Sequence, residues 1–268
     1  MMKLDGEFSS DYRTLVGECM QHGELRSARG RPHKALFNVV LIHRIDHNLL
    51  TGLSRRFAIA ELMAYVAGWE DVRWLAHFNK NIAQFSDNGI VFSGAYGPRM
   101  QEQIARVLFM LREDPHSRQA VVQIFTKNDL IPCDGKVSKD IPCNTMFQLQ
   151  VVGGLLNMTI YQRSCDLVWG LPYDHFSFTC LLYLLAKELE LEPGVVVRHI
   201  ANAHVYSPRA VYADEERIYK AVNTAGGHTW FPVPTKFSEF RAAAIQTRTD
   251  YETPGAQVIY PMLMGELR

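Results

Sequence analysis

Apolar positions recur every three to four residues in several stretches of the chain, the spacing typical of an α-helix with a buried face. This pattern predicts helices over 8–22, over "SRRFAIAELMAYVAGW" ending near Gly68, over "GPRMQEQIARVLFMLRED", and over the strongly apolar "DHFSFTCLLYLLAKELEL". A further helix is predicted from about Pro208. After Tyr219 the sequence is turn-rich and predicts no regular element.

Other apolar stretches are short and rich in β-branched residues, and these predict strands. They are "ALFNVVLIH", "QAVVQIFT", "TMFQLQVV", "LLNMTIYQR" and "GVVVRHIANAHVY", with Gly153-Gly154 as a hairpin turn between the third and the fourth. The basic segment 23–34, "GELRSARGRPHK", is interpreted as a loop punctuated by glycine and proline. Strands clustered around a few long helices predict an α+β fold with a mostly antiparallel or mixed sheet. Because no repeat or low-complexity linker interrupts the pattern, we expect a single domain over 1–268.

Composition narrows the function mainly by exclusion. The 268-residue chain is 47% hydrophobic and has no formal net charge, whereas nucleic-acid polymers and membrane surfaces usually require a basic excess. Its longest apolar run is too short to cross a bilayer. The start "MMKLDGEFSS" lacks an apolar signal core, and the five cysteines are scattered, so we expect a cytoplasmic protein with free thiols. No cysteine or histidine spacing is typical of a metal site, and none is expected.

A cysteine, a carboxylate and several arginines are the residues that could carry chemistry. Cys143 directly precedes a predicted strand; arginines nearby would lower its thiol pKa and make it a nucleophile, whereas the alternative is a small buried hydrophobe. Cys133 lies in a turn, "PCDG", and is interpreted as an ordinary loop cysteine. Glu61 lies among apolar residues, either exposed on its helix or buried as an acid/base with a raised pKa.

Arginines are the candidates for binding phosphate, because their planar donor fork binds two oxygens. Each could also be a solvated surface charge. The candidates are Arg26, Arg29, Arg31, Arg118 and Arg163.

Several of these pieces occur in an order that resembles the thymidylate synthase family. They are "AEL" with Glu61, "AYGPR" with Tyr96, "DPHSR" with Arg118, "IPCN" with Cys143, "YQRSCDLVWGLPYD", and "AHVYS" with His204 and Tyr206. The resemblance covers roughly residues 25–210, and "YQRSCD…GLP" is its most specific part. It implies the α+β fold of that family and a homodimer formed through the sheet, in which the two subunits share their sites.

The resemblance also implies a role for each matching residue, with 5,10-methylenetetrahydrofolate as co-substrate and no metal. Cys143 would add to C6 of a pyrimidine nucleotide, and Glu61 would order water and relay protons, with Tyr96 in the same catalytic group. The implied binding residues are Arg163, Ser164, Arg29 and Arg118 for the phosphate, the last from across the dimer interface; Asp174, Gln162, His204 and Tyr206 for the base and sugar; and Asp166, Gly170 and Tyr173 for the folate.

Asp174 departs from a synthase, because the family normally has asparagine at this position. Uracil presents N3–H, a donor, beside O4, an acceptor, and an amide complements both. Cytosine reverses this pair. A carboxylate could accept from its amino group and a protonated N3, or a neutral acid could donate to N3. We therefore interpret Asp174 as a selector for cytosine, as in the deoxycytidylate hydroxymethylase branch of the family.

Two other departures from the family pattern favour hydration of the one-carbon unit over hydride transfer: Ile82-Ala83 replace a tryptophan over the reactive carbon, which leaves more room for water, and the tail "MLMGELR" is unlike the apolar tail of synthases. Asn144 replaces a histidine after the nucleophile, and Gln119 replaces a second arginine, which removes one phosphate contact. The resulting prediction is a cytidylate 5-hydroxymethyltransferase of the type found in mildiomycin-type nucleoside antibiotic biosynthesis, acting on CMP and accepting dCMP. The alternatives are a dCMP-specific hydroxymethylase, a thymidylate synthase or hydroxymethylase acting on dUMP, and an inactive nucleotide-binding protein.

Overall fold

Helices and strands are interspersed along the chain in a computed structural model, which describes residues 1–44, 48–49, 53–130, 137–206, 228–229 and 236–252. The helices are α1 (Phe8–His22), α2 (Arg55–Ala67), α3 (Val72–Phe78), α4 (Tyr96–Glu113), α5 (Leu171–Glu188) and α6 (Phe237–Glu252), with 3₁₀ turns at Lys80–Phe85 and Lys127–Leu130. The strands are β1 (Met2–Leu4), β2 (Glu24–Ala28), β3 (Arg31–Arg44), β4 (Asn48–Leu49), β5 (Val121–Gln123), β6 (Asn144–Val152), β7 (Leu155–Gln162), β8 (Cys165–Asp166), β9 (Glu192–Tyr206) and β10 (His228–Thr229).

One mixed sheet of eight strands organises the fold. Its main order is β1-β3-β9-β7-β6-β5, with β2 paired to β3 and β8 paired to β9. Strand β9 runs antiparallel to β3 and parallel to β7, whereas β6 and β7 form an antiparallel hairpin. The α+β class and the mixed sheet predicted from the sequence are therefore confirmed.

Local signals explain where the helices near the site begin and end. The side chain of Ser54 caps α2 by accepting from the backbone N–H of Phe57, and Gly68 ends α2 in the left-handed conformation with a φ of 77°. A Cβ at Gly97 would collide with the carbonyl oxygen of Ala64, so only glycine lets the first turn of α4 lie against α2. These contacts bring Tyr96, at the start of α4, beside the face of α2 that carries Glu61.

Two hydrophobic clusters pack against this sheet. The larger one joins α2, α4, α5 and α6 to β5, β6 and β7, and the smaller one packs α1 against β3, β8 and β9. Helix α5 is buried along most of its length, as its apolar sequence predicts, and its first turn carries Asp174. None of the helices in the described ranges combines the length and apolarity needed to span a membrane.

Two segments differ from the sequence prediction. Segment 23–34 is a β-hairpin, β2–β3, and its two-residue turn places Arg29 and Gly30 at φ values of 52° and 73°, as a type I′ turn requires. Strand β2 is exposed along its whole length, and β3 begins with the exposed residues Arg31 and Pro32, so the sequence of this segment shows no clear alternation. Helix α6 was also missed, because its five charged residues and two threonines interrupt the apolar spacing. The helix predicted from about Pro208, and Cys133, lie outside the described residues.

Candidate active site

The candidate site forms where strands β6, β7 and β9 meet the first turn of α5. Cys143 immediately precedes β6, and Gln162 is the last residue of β7. Asp174 lies in the first turn of α5, where the positive end of the helix dipole favours a carboxylate. The neighbouring strand β9 contributes Arg198 from its centre and His204 and Tyr206 from its end.

Cys143 differs from the other described cysteines in its exposure. Cys19, Cys165 and Cys180 are buried, whereas Cys143 is partly accessible. Its carbonyl oxygen accepts from the backbone N–H of Arg163 over 2.9 Å, which ties the residue to the end of β7. A cysteine that is partly accessible and that the backbone holds in place fits a nucleophile better than the fully buried hydrophobe of the alternative.

The pKa of Cys143 moves in the opposite direction to the sequence prediction. Burial raises the pKa of this thiol to about 11, and the nearby guanidinium of Arg163 opposes the shift without reversing it. The negative charges of Asp174, Asp140 and Asp166 raise it further. One arginine does not outweigh burial and three carboxylates, so the thiol is protonated at neutral pH in this state.

Asp174 is a buried carboxylate whose two oxygens both accept hydrogen bonds. Nδ2 of Asn144 donates to Oδ1 over 3.1 Å, and Nε2 of Gln162 donates to Oδ2 over 2.7 Å. Burial raises the pKa of Asp174, while the positive charge of Arg198 and the two amide donors oppose this shift. Asn144 is fully buried and contacts Asp174 directly, a contact that the sequence reasoning did not predict.

Arg198 is a buried cation beneath this group, and the sequence reasoning missed it. Its Nη1 donates to Oδ1 of Asn144 over 3.0 Å and to Oε1 of Gln162 over 3.1 Å, and Nη2 donates to the carbonyl oxygen of Asp174 over 3.3 Å. Its guanidinium also lies 5.4 Å from the centre of the Phe178 ring. The available signal was an arginine inside the apolar strand "VVVRHI", since charged residues are rarely buried unless they are paired.

The carboxyl of Glu61 lies inside the protein, as the second of its two sequence alternatives requires, although the residue as a whole is partly exposed. Burial raises its pKa to about 8, the charge of Asp174 adds to the shift, and the Ser177 hydroxyl opposes it. Oε2 of Glu61 is sealed from solvent and has no hydrogen-bond partner among the described residues. The Tyr96 hydroxyl lies in the same pocket and accepts from the backbone N–H of Asn144 over 3.2 Å.

The sugar candidates His204 and Tyr206 lie together at the end of β9. Their rings are 5.2 Å apart, and His33 of β3 approaches His204 to 5.3 Å. Burial, together with the charge of His33, lowers the pKa of His204 to about 4, so its imidazole is neutral at physiological pH. Burial raises the pKa of Tyr206, while Arg31 and Arg29 oppose this rise, which places both arginines within electrostatic range of its hydroxyl.

Two of the phosphate candidates hold the segment that leads into Cys143. Arg29, at the β2–β3 turn, donates to the carbonyl oxygens of Ser138 and Lys139, both over 3.3 Å. Arg163 donates to the carbonyls of Pro142 and Ile141 over 2.8 and 2.7 Å. The structure thus brings both arginines to segment 138–142.

The remaining phosphate candidates are placed differently. Ser164 directly follows Arg163 and is partly buried, whereas Arg26 is exposed and pairs with Glu24. Arg118 is exposed just before β5, at the far edge of the sheet from β9. Its side chain makes no hydrogen bond or ion pair within the described part of the chain. A single chain therefore does not bring Arg118 together with the other candidates.

The folate candidates surround the turn between β8 and α5. Oδ1 of Asp166 accepts from the backbone N–H groups of Val168 and Trp169 over 2.8 and 2.9 Å. A Cβ at Gly170 would lie 3.0 Å from the carbonyl oxygen of Asp166, so a larger residue would press on this turn. The hydroxyl of Tyr173 accepts from the backbone N–H of Ser54 over 3.2 Å. Trp169, which the sequence reasoning did not select, is 47% exposed at the same turn.

Comparisons of the sequence with known proteins identify relatives of this chain. The chain is 29% identical over 216 residues to the deoxyuridylate hydroxymethyltransferase of Bacillus phage SP01, covering 73% of this chain and 56% of the relative. It is 32% identical over 161 residues to the deoxyuridylate hydroxymethyltransferase of Pseudomonas phage M6, covering 56% of this chain and 44% of the relative. The chain thus spans about half the length of the curated relatives it matches. The family model for thymidylate synthase matches residues 10–253, and the chain therefore belongs to the thymidylate synthase family.

Proposed function

We propose that this chain is a pyrimidine nucleotide 5-hydroxymethyltransferase that acts on CMP and also accepts dCMP. It would combine CMP, water and the one-carbon unit of 5,10-methylenetetrahydrofolate to give 5-hydroxymethyl-CMP and tetrahydrofolate. The observation that carries the proposal is the buried carboxylate of Asp174, fixed by two amide donors in the pocket of the accessible thiol Cys143. Membership of the family and the hydroxymethyltransferase names of the relatives support the reaction class.

The hydrogen bonds of Asp174 support cytosine as the base. Each carboxylate oxygen already accepts one amide N–H and retains lone-pair capacity for a ligand. The 4-amino group of cytosine can donate to it, whereas O4 of uracil would place an acceptor against an acceptor. An unmatched buried polar group costs about 1–3 kcal/mol, which is enough to bias the choice of base.

Cys143 would open the reaction by adding its sulfur to C6 of the base, which makes C5 a carbon nucleophile. The charge of Arg163 favours the thiolate that this step needs. The folate supplies the one-carbon unit that C5 receives. C5 then loses its proton as tetrahydrofolate leaves, water adds to the resulting exocyclic methylene, and elimination of the Cys143 sulfur from C6 restores the aromatic base.

Glu61 would position the water that distinguishes a hydroxymethylase from a synthase. Oε2 of Glu61 is sealed from bulk solvent and has no hydrogen-bond partner within the described ranges, although the Ser177 hydroxyl lies near enough to the carboxyl to oppose its pKa shift. Buried polar atoms of this kind are commonly satisfied by an internal water. Because the pKa of Glu61 is about 8, its carboxyl can hold or release a proton near neutral pH, as proton relay requires.

The nucleotide would lie between the thiol and the end of β9. We assign the phosphate to Arg163, Ser164 and Arg29, and the sugar hydroxyls to His204 and Tyr206. Arg29 and Arg163 already bind the same backbone segment, 138–142, so a phosphate there would replace or share these contacts. Neutral His204 can both donate and accept, which suits a hydroxyl.

We further propose that Arg118 completes the phosphate site from a second subunit of a homodimer. Two observations support this assembly: Arg118 is exposed far from the other candidates, and the open face of the sheet carries an apolar surface. Tyr161, on the inner strand β7, is 52% exposed and stacks on His199 at 5.0 Å. An exposed aromatic residue at the centre of a sheet is typical of a surface that a partner covers.

The folate would bind at the turn between β8 and α5. We assign Asp166, Gly170 and Tyr173 to it, and add the exposed ring of Trp169 as an aromatic surface. A Cβ at Gly170 would press on the carbonyl oxygen of Asp166, so glycine preserves the shape of the turn that carries these residues.

The product mass spectrum tests this proposal. The protein is incubated with methylenetetrahydrofolate and equal amounts of CMP, dCMP, UMP and dUMP. A hydroxymethyl adduct on CMP or dCMP is expected. A methyl group on dUMP would instead show a synthase, and no product with a folded dimeric protein would favour an inactive binder.

Exchange of the C5 hydrogen of CMP with solvent tests the nucleophile. Cys143→Ala should abolish the exchange, whereas Cys180→Ala, which changes a buried cysteine of α5, should retain it. Cys133→Ala should also retain it. Loss of exchange only in a control variant would overturn the assignment of Cys143.

A second candidate function, hydroxymethylation of dUMP, is favoured by the printed activity of both phage relatives. The same mixture separates the two candidates, because a hydroxymethyl adduct confined to dUMP would replace the cytidylate proposal. Asp174 argues for cytosine, since its carboxylate offers no donor to O4 of uracil when ionised.

A further inference from the structure

We propose that Arg198 is a positioning residue that sets the hydrogen-bond polarity of the base pocket, by binding the amide oxygens of Asn144 and Gln162 and so turning both amide nitrogens toward Asp174. This inference deepens the proposed function and rests on it for the identity of the base. Arg198 itself would not touch the nucleotide.

The orientation follows from the donor chemistry of arginine. A guanidinium has only donors, so the side-chain atoms of Asn144 and Gln162 that lie 3.0 and 3.1 Å from Nη1 must be oxygens. The NH₂ groups then face Asp174, at 3.1 and 2.7 Å. The reverse orientation would set donor against donor at Arg198 and acceptor against acceptor at an ionised Asp174.

Burial makes this orientation obligatory. Asn144, Gln162 and Arg198 are 0, 1 and 2% exposed, so water cannot replace a lost partner. The four linked side chains come from β6, β7, β9 and α5, which fixes their spacing. The Tyr96 hydroxyl also accepts from Nδ2 of Asn144 over 3.1 Å and thereby holds the amide in the same orientation.

The charged groups around Asp174 also indicate that its carboxylate is an acceptor. Asp174 is faced by titratable or charged groups from several elements: Glu61 and Tyr65 of α2, Tyr96 of α4, Cys143 before β6, Cys165 of β8 and Arg198 of β9. Arg198 is the cation of this described set, and its charge acts on Asp174. The raised pKa of Glu61 matches a state in which Asp174 is ionised and Glu61 holds the proton.

The consequence is a pocket that cannot adapt to uracil. Free amides can rotate to present either oxygen or nitrogen, and a pocket with mobile amides could suit either base. With Arg198 in place, Asp174 remains an acceptor, and the ligand must bring the donor. Discrimination between the bases should therefore depend on a residue beyond the ligand contacts.

Nucleotide binding without folate provides the test. Affinities for CMP and UMP are measured by calorimetry for the wild type, Arg198→Met and Arg198→Lys. We expect the CMP-to-UMP affinity ratio to fall about tenfold or more in Arg198→Met, mainly through weaker CMP binding. Arg198→Lys should recover the ratio in part, because an ammonium restores charge but cannot span both amide oxygens. An equal loss of affinity for both nucleotides would show a merely structural role and overturn the proposal.

The pH profile adds a second readout. CMP binding should be lost as the pH falls through the pKa of Asp174. Because the charge of Arg198 lowers that pKa, the loss of binding should occur at higher pH in Arg198→Met than in the wild type.

Arg112→Met is the control. Arg112 also donates to a carboxylate and a carbonyl, both of Glu188, but lies away from the pocket. Its profile and affinity ratio should match the wild type, and an unmoved limb in Arg198→Met would contradict the inference.

Neutron diffraction of the wild type decides the orientation if Arg198→Met does not fold. Deuterium on Nδ2 of Asn144 and Nε2 of Gln162, directed at Asp174, is expected. Amide oxygens facing a deuterated Asp174 would overturn the inference. A wild type that prefers UMP would instead overturn the cytidylate proposal, while the neutron map would still decide the role of Arg198.

Discussion

Nε of Arg163 donates to the carbonyl oxygen of Pro142 over 2.8 Å, one residue before Cys143. The arginine proposed to bind phosphate therefore also holds the backbone that carries the proposed nucleophile. Burial raises the pKa of the Cys143 thiol, and the positive charge of Arg163 is the main influence that lowers it. Phosphate binding and thiol reactivity are thus linked through one side chain.

Replacing Arg163 by glutamine should slow the alkylation of Cys143. Without the guanidinium, the pKa of this thiol rises beyond about 11, and each additional unit lowers the thiolate fraction about tenfold. The measurement is the rate of iodoacetamide labelling of the Cys143 peptide at mildly alkaline pH. Arg112→Gln serves as the control and should label at the wild-type rate. Equal rates for Arg163→Gln and wild type would show that Arg163 does not tune the thiol.

Asp174→Asn should reverse the base preference only partly. The new amide can donate to O4 of uracil, and it removes the acceptor for the cytosine amino group, so kcat/KM for CMP should fall about a hundredfold or more. However, Nε2 of Gln162 lies 2.7 Å from Oδ2, and an amide nitrogen there would meet another donor. The gain on uracil nucleotides should therefore be smaller than the loss on CMP.

Competition kinetics with mixed CMP and UMP measure this change directly. Asp5→Asn makes the same chemical substitution at an exposed position and should leave the preference unchanged. An unchanged preference in Asp174→Asn would refute the base-selector argument.

Local signals explain why much of the fold could be predicted. Ser54 and Gly68 bracket α2, and Gly153-Gly154 adopt φ values of 60° and 79° in the β6–β7 turn. These residues act on their immediate neighbours, so their meaning is readable from the sequence. The β2–β3 hairpin carried only Arg29-Gly30 as a signal. Its first strand, β2, is exposed throughout and lacks the alternation that identifies a half-buried strand.

The residues proposed to contact the nucleotide were predicted from sequence motifs, whereas the buried arginine that holds them in place was not. Cys143, Asp174 and Gln162 stand in recognisable strings, but Arg198 stands alone in an apolar strand. Its partners Asn144 and Gln162 are 54 and 36 residues away in the chain. The registers of β6 against β7 and of β7 against β9 bring them together, and periodicity carries no information on such pairings.

Glu61 should make the protein less stable as pH rises. Its pKa is 4.5 in its ordinary state and about 8 in the folded protein, so between these values the folded state binds a proton that the unfolded chain has lost. The stabilising contribution is full below pH 4.5 and is lost as pH rises through about 8, with a slope of about 1.4 kcal/mol per pH unit. Glu61→Gln should remove this slope while abolishing hydroxymethylation.

Urea unfolding at several pH values across that interval measures the effect. Glu70→Gln, which changes an exposed glutamate just beyond α2, should keep the wild-type slope. If Glu61→Gln unfolds with the same pH dependence as wild type, the carboxyl is ionised in the folded state and cannot hold the proton assigned to it.

His175→Phe should make the protein more resistant to mild acid. The His175 ring is buried, stacks on Phe8 with centroids 3.4 Å apart, and meets His43 edge-on at 5.6 Å. Burial lowers its pKa well below 6.5, and the charges of His43 and Arg198 add to the shift.

The sign of this effect is opposite to that of Glu61. Below pH 6.5 the unfolded chain binds a proton at His175, whereas the folded protein does not. The free energy of unfolding therefore falls by about 1.4 kcal/mol for each pH unit below 6.5. Phenylalanine retains the stacking on Phe8 and has no proton to bind, so that slope should disappear. Urea unfolding between about pH 5 and 6.5 measures it, with exposed His22→Phe as the control. If His175→Phe is as sensitive to acid as the wild type, His175 takes up its proton in the folded protein. The contact between α1 and α5 would then rearrange around the charged ring.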